Sequence, residues 1–204
     1  QQPYKEIEPT DTPQPNTAYG KSKLEAEQLL PSSFPYIILR PTGVYGPREK
    51  DYFLMAKSIK GHSDFAVGYK QQDITFVYVK DVVQATFLAL DHGKIGSAYF
   101  LSDGKVYQST TFSDLIHEEL GRPWWIRITA PIWVLRVVTF FGDLIGHATG
   151  KISALNNDKY QILKQRNWRC NIRPAIEELG YKPEYDLQRG VKETIEWYKK
   201  EGWL

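Results

Sequence analysis

Cysteine occurs once in these 204 residues, at Cys170, and methionine also once. A single cysteine excludes an intrachain disulfide and any zinc site built from several thiolates. It also fits a reducing compartment, so a cytoplasmic location is the expectation. His62, His92, His117 and His147 stand far apart with no metal-ligand spacing, and no metal site is expected. A one-sided charge is lacking too. The 26 Lys and Arg against 24 Asp and Glu leave a net charge of +2. No basic block is present, which argues against a nucleic-acid partner. Long apolar runs are absent. The most apolar stretch, 122–151, is interrupted by Arg127, Pro131, Arg136 and Asp143. It falls short of the roughly 20 residues that a spanning helix needs, so stable membrane insertion is not expected. There is no secretory signal and no Asn-x-Ser/Thr acceptor.

What is present is an alternation. The opening "QQPYKEIEPTDTPQPN" is polar and Pro-rich and reads as an extended loop. Asn16 can cap a helix running to Leu30, which places Tyr19, Lys23, Ala26 and Leu30 on one face. "SFPYIILRP" reads as a buried strand, "TGVYGPREK" as a turn-rich loop, and "DYFLMAKSIKG" as a helix closed by Gly61. "DITFVYV" is a second strand, followed by a helix from Val82 to Leu90 that Asp81 can cap. "GSAYFLSDG" is a third strand. Phe112, Leu115, Ile116 and Leu120 form the stripe of a helix stopped by Gly121. Strands alternating with helices predict an α/β fold with a parallel sheet.

The last hundred residues are mostly helical in pattern. A helix from Pro131 to Ile145 has two readings: a buried or inter-domain helix, or a wall for an apolar substrate or a membrane surface. Two short helices follow. Ala175, Ile176 and Leu179 line the first, which Gly180 ends. Leu187, Val191, Ile195 and Tyr198 line the second.

Tyr19 and Lys23 are one helical turn apart. An exposed Tyr, with a pKa of about 10, is a poor base. An ammonium one turn away favours the phenolate, and such a Tyr can exchange a proton with an alcohol or a carbonyl. Spacing alone decides nothing, because Tyr160 and Lys164 repeat it without a strand–turn frame.

The frame around Tyr19 carries more. "PNTAYGKSKLEAE", then a strand, then "LRPTGVYGPR", later "FVYVKDV", "AYFLSDG" and the closing "ETIEWYKKEGWL" follow one another over nearly the whole chain. In that order they resemble the extended short-chain dehydrogenases/reductases, the epimerase/dehydratase superfamily. The resemblance implies the C-terminal part of a Rossmann-type parallel sheet plus a smaller, mostly helical substrate-binding region. Residues 1–95 would belong to the dinucleotide-binding domain, with a substrate-loop insertion near 61–73, and 96–204 to the substrate-binding region. It implies Tyr19 as the acid/base and Lys23 as its electrostatic partner and ribose ligand. Pro41, Thr42, Gly43 and Val44 would run along the nicotinamide, and Tyr45 and Arg48 would face the substrate. For Arg40 a structural salt bridge is at least as good a reading. The implied cofactor is NAD or NADP, the partner a small molecule, and the assembly a homodimer.

Two departures bear on the substrate. Many nucleotide-sugar members of the superfamily carry Asn near Gly43, and a diphosphate-clamping Arg where this chain reads "QQDIT". Residues 124–146 and the turn at 155–159 resemble instead the 3β-hydroxysteroid dehydrogenase-like branch, which handles hydrophobic alcohols. The superfamily's Gly-x-x-Gly-x-x-Gly loop, which seats a pyrophosphate at a helix N-terminus, is not among the 15 glycines. Gly43-x-x-Gly46 and Gly93-x-x-Gly96 lack the third. The expectation is a C-terminal portion of an NAD(P)-dependent enzyme acting on a sugar or a hydrophobic alcohol or ketone. By itself it would be inactive and would expose a sheet edge. The alternative is a non-catalytic binding or dimerising module.

Overall fold

A computed structural model describes residues 4–31, 33–149 and 156–204. The elements run α1 (Ala18–Gln28), β1 (Ile38–Pro41), β2 (Gly43–Tyr45), α2 (Lys50–Lys60), β3 (Ser63–Val67), β4 (Phe76–Tyr78) and α3 (Val79–His92). They continue with β5 (Ala98–Leu101), α4 (Thr111–Glu119), β6 (Ile126–Ala130), α5 (Ile132–Thr149), α6 (Asn157–Leu163), α7 (Arg173–Leu179) and α8 (Leu187–Lys200). The fold is α/β with parallel pairing, as the alternation predicts.

Among the described residues the three strand pairs are all parallel. β1 pairs with β5 from Ile38↔Ala98 to Pro41↔Leu101, β2 with β4 from Gly43↔Phe76 to Tyr45↔Tyr78, and β3 with β6 from Ser63↔Ile126 to Val67↔Ala130. Three of these strands differ from the sequence expectation. The stretch 43–45, read as loop, is a strand because the extended run from Ile38 changes partner at Thr42. β3 and β6 fall where a loop insertion and a plain apolar run were expected, and each finds its partner some sixty residues away. Among the described residues β1 has no strand on its other side.

The strand alternation sorts side chains into two cores. Phe76 and Tyr78 of β4 face one, with Tyr45, Phe112, Ile116, Leu187, Val191, Ile195 and Tyr198. Val77 faces the other, with Ala85, Ala89, Tyr99, Leu101, Leu179 and Tyr181. This is the period-2 rule for a sheet covered on both faces. The four expected residues of α8 are all at most 1% exposed. Each large aliphatic among them contributes about 1.5–3 kcal/mol by burial.

Asp81 does not cap α3. The helix starts at Val79, and the Asp81 carboxylate, 2% exposed, accepts the backbone N–H groups of Glu184 (3.0 Å) and Tyr185 (3.1 Å). Burial pushes its pKa up, and the two N–H donors offset part of that rise. It thereby ties α3 to the segment that leads into α8. The opening loop is also fastened. Ile7 N–H donates to Arg169 O (2.9 Å), Asn171 N–H donates to Ile7 O (2.9 Å), and Arg169 pairs with Glu6.

α5 is not a buried helix. Leu135 and Thr139 face inward, while Trp133, Val137, Phe140, Phe141 and Leu144 lie exposed. Among the described residues no helix is long and apolar enough to cross a membrane. Leu155, the first residue of the 155–159 turn, lies outside the described residues; the remainder forms the cap and start of α6.

Candidate active site

The start of α1 is built by its flanks. Thr17, one residue after the expected Asn16, is the N-cap, and its Oγ1 accepts the Gly20 N–H at 2.9 Å. The Ala18 N–H donates to both carboxylate oxygens of Asp158, at 3.2 and 3.0 Å. Asp158 lies in the first turn of α6, so the starts of the two helices are joined. In its last turn α1 is held again. Arg40 of β1 donates from Nε to Glu27 Oε1 (3.0 Å) and from Nη2 to Glu27 Oε2 (2.6 Å), and from Nη1 to Pro9 O (3.3 Å). The structural reading of Arg40 is therefore the one observed.

Between these fastenings lie Tyr19 and Lys23. Lys23 Nζ stands 5.6 Å from the centre of the Tyr19 ring. Tyr19 is 67% exposed, and the expected face of Tyr19, Lys23 and Ala26 is open rather than packed. Among the described residues the Tyr19 hydroxyl has no hydrogen-bond partner and Lys23 no carboxylate partner. Tyr160 and Lys164 show a similar arrangement, with Nζ 5.1 Å from the ring centre. The local geometry of the two pairs is alike, and their surroundings separate them.

The loop after β1 is more structural than expected. Thr42 donates to Leu101 O from both its N–H (3.0 Å) and its Oγ1 (3.1 Å). A Cβ on Gly43 would lie 3.1 Å from the Phe76 ring and from the Tyr52 hydroxyl, so any side chain there would crowd both. Val44 packs on the second core, and Pro41 is exposed. Tyr45 is corrected: it does not face an open cleft. It is 1% exposed, its hydroxyl donates to Asp186 O at 3.2 Å, and burial raises its pKa far above the usual phenol value. Arg48 is exposed, with φ +71°, a conformation uncommon for a non-glycine residue.

Sequence reasoning missed a cavity of about 230 Å³ between the end of β3, the start of α5 and the end of α6. Lys70, Lys164 and Arg166 line it, as do Ile132, Trp133 and Leu163. The pairing of β3 with β6 brings Lys70 beside the start of α5, a juxtaposition that no local pattern could announce. Gln72, in the stretch where a clamping Arg was looked for, is a staple. Its Nε2 donates to Leu163 O (2.9 Å) and Gln165 O (2.6 Å), holding the end of α6 against the cavity.

Known proteins give this geometry its context. Residues 1–101 match the NAD dependent epimerase/dehydratase family. The chain is 30% identical over 197 residues to a UDP-glucose 4-epimerase of Vibrio cholerae, covering 91% of this chain and 55% of that protein. It is 28% identical over 207 residues to a 3beta-hydroxysteroid-dehydrogenase/decarboxylase isoform 1 of Arabidopsis thaliana, covering 90% of this chain and 46% of that protein. The fold matches that of dTDP-glucose 4,6-dehydratase from Bacillus anthracis, solved in complex with NAD. There the TM-score is 0.73 at 19% identity, over 98% of this chain and 58% of the other. The first 101 residues of this chain thus carry the pattern of the NAD dependent epimerase/dehydratase family, and the chain is similar to extended short-chain dehydrogenases/reductases. It spans about half the length of the curated relatives it matches.

Proposed function

We propose that these residues form the proton-transfer and substrate-binding part of an NAD(P)-dependent oxidoreductase, with Tyr19 as acid/base and Lys23 as its cationic partner. The carrying observation is the pair itself. A phenol with no hydrogen-bond partner and an ammonium with no carboxylate partner, both among the described residues, stand one turn apart on a helix fastened at both ends, by Asp158 at its start and by the Glu27–Arg40 pair near its end. That pair ties α1 to the strand whose next residues are Pro41 and Thr42.

The residues present fit the nicotinamide end of a dinucleotide. Lys23, unpaired among the described residues, can donate to ribose hydroxyls. Pro41 is exposed at the strand end, followed by Thr42, hydrogen-bonded to Leu101 O, and Gly43, paired in β2. NAD(P), when bound, supplies a hydride acceptor or donor. In the oxidative direction the Tyr19 phenolate takes the proton of a substrate hydroxyl as the carbinol hydride departs, leaving a carbonyl. In the reverse direction the phenol returns that proton to the carbonyl oxygen. The Lys23 ammonium favours the phenolate by Coulomb attraction. Arg48 is assigned to the substrate side, where its strained, exposed backbone would aim a cation at a polar substrate group. Tyr45, buried and bonded to Asp186 O, has no access to the substrate. A homodimer and the division near residue 95 belong to the same proposal.

The pyrophosphate half has no counterpart in the sequence, so residues 1–204 alone should bind NAD(P) weakly. A calorimetric titration of the chain that returned micromolar affinity would refute this. With the cofactor loop supplied, Tyr19→Phe should abolish turnover and leave NAD(P) affinity nearly unchanged, whereas Lys23→Ala should lower both. Undiminished turnover in the Phe variant would remove Tyr19 from the chemistry. One observation favours a second reading, a non-catalytic binding module: the 67% exposure of Tyr19. Ligand binding without any NAD(P)-linked turnover in the loop-containing protein would support it.

A further inference from the structure

We infer that Asp158 of α6 is a positioning residue for Tyr19: its carboxylate fixes where the phenol stands and opposes the field of the helix end that bears it. The role in turnover rests on the preceding reading of Tyr19, whereas the effect on the phenol does not. Position is the first argument. Tyr19 is 67% exposed, so packing does not place its ring and the backbone must. That backbone is fastened on both sides and at Tyr19 itself. The Ala18 N–H donates to both oxygens of Asp158, the Gly20 N–H donates to Thr17 Oγ1, and Ser22 Oγ donates to Tyr19 O at 2.8 Å. Thr17 and Ser22 belong to the same short stretch of chain. Asp158 is the charged group that ties this turn to another helix, with Asn16 Nδ2 donating to Gln161 Oε1 (3.4 Å) beside it.

The support behind Asp158 is the second argument. Asn156 caps α6, its Oδ1 accepting the Lys159 N–H at 3.0 Å. Lys159 Nζ pairs with Asp51, in the first turn of α2, at 2.7 Å. Gln72 holds the other end of α6 through Leu163 O and Gln165 O. The carboxylate that receives the Ala18 N–H is therefore carried by a helix fixed at its start and its end, not by a freely turning surface side chain.

Charge is the third argument. The N–H groups that open a helix make a positive field, which favours an anion within the first turn. Tyr19 is the second residue of α1, and aromatic side chains on a helix lean back toward its start. That field and Lys23 both favour the phenolate. The first turn of α1 has no acidic residue of its own, and Asp158 supplies the missing anion from α6. Lys23 thus draws Tyr19 toward the phenolate and Asp158 toward the phenol. An acid/base that must also return its proton needs the second influence. Of the other charges on α1 and the elements that meet it, Lys159 is paired with Asp51 and Glu27 with Arg40, Lys164 lies over Tyr160 at the far end of α6, and Lys21 and Glu25 are exposed on α1.

The test titrates Tyr19 by carbon-13 NMR in the 204-residue chain labelled at the tyrosine Cζ, its signal being the one missing from Tyr19→Phe. Asp158→Asn keeps an oxygen for the Ala18 N–H and removes the charge. It should lower the titration midpoint of Tyr19 by about 0.2–0.7 unit, the effect of one charge at a helix end. Lys23→Ala should raise it. Asp158→Glu, which restores the charge, should recover most of the wild-type value, and Glu118→Gln, on α4, should leave it unchanged. A residue that only held the fold would not move this midpoint. In the loop-containing protein the acid limb of kcat/KM, in the oxidative direction, should move down with it in Asp158→Asn. The inference is overturned by an unshifted or raised midpoint in Asp158→Asn, or by an Asp158→Glu variant no closer to wild type than Asp158→Asn. Unfolding of Asp158→Asn would make Asp158 a determinant of the fold instead, and would overturn it too. Undiminished turnover in Tyr19→Phe would remove the role in turnover and leave the shift standing, so the two readings fail separately.

Discussion

The Arg40 guanidinium lies across both oxygens of the Glu27 carboxylate, at 3.0 and 2.6 Å, with each side chain about a quarter exposed. It joins the last turn of α1 to the strand that ends at Pro41. Such a bidentate, half-sheltered pair stands between surface pairs, which contribute little, and buried pairs, whose breakage is costly. Glu27→Gln is expected to cost about 1–2 kcal/mol in urea denaturation. Its backbone exchange should rise in α1 first, with β4 unaffected.

Tyr45 and Gly190 meet with no room between them. A Cβ on Gly190 would fall 2.1 Å from the Tyr45 hydroxyl oxygen and 2.7 Å from its ring. Gly190→Ala must therefore push α8 off the strand pair β2–β4, where Tyr45 is locked by its bond to Asp186 O. Overpacking of this kind costs about 1–3 kcal/mol, well beyond the slight gain that alanine brings within a helix. A lower denaturation midpoint with an unchanged slope would bear this out.

The pH dependence of stability carries the mark of Asp81. Its folded pKa is raised by burial, so the folded state holds the proton longer than the unfolded chain. The contribution of this group is fully present below its unfolded value of about 3.9 and is lost as pH climbs through the folded value. Asp81→Asn should remove that falling limb. Stability of wild type minus variant, followed upward from about pH 4, should decline. The variant also orphans one of the two buried N–H donors of Glu184 and Tyr185, costing about 1–3 kcal/mol at every pH.

Asp158 separates the two Tyr–Lys pairs. It fastens the first turn of α1, and Asp158→Ala leaves the Ala18 N–H to water. Amide exchange at Ala18 and Tyr19 should quicken, with a global cost of about 1 kcal/mol. In the cofactor-competent protein kcat should fall while NAD(P) affinity holds. Tyr160→Phe, in contrast, should leave kcat unchanged.

Single-chain patterns made much of this fold legible. The stripes of α4 and α8 came from their apolar spacing. Gly61, Gly121 and Gly180 marked the ends of α2, α4 and α7, the latter two at φ +85° and +70°, which few other residues tolerate. The Tyr19–Lys23 spacing was equally plain. β2 was hidden because three residues between Pro41 and Gly46 carry too little pattern, and their strand character comes from Phe76–Tyr78. Tyr45 was misplaced for a related reason: a Tyr beside Gly-Pro reads as a loop residue until α8 packs over it.

The sequence by itself determined the family resemblance, the parallel α/β alternation and the candidate acid/base, because these depend on residue order and on spacing within one element. Only the tertiary structure decided where β3 finds β6, that Tyr45 belongs to the core, and that Lys70, Lys164 and Arg166 share one cavity. Those are contacts between residues far apart in the chain. Their free energy comes from burial and pairing across elements, and no local pattern records it.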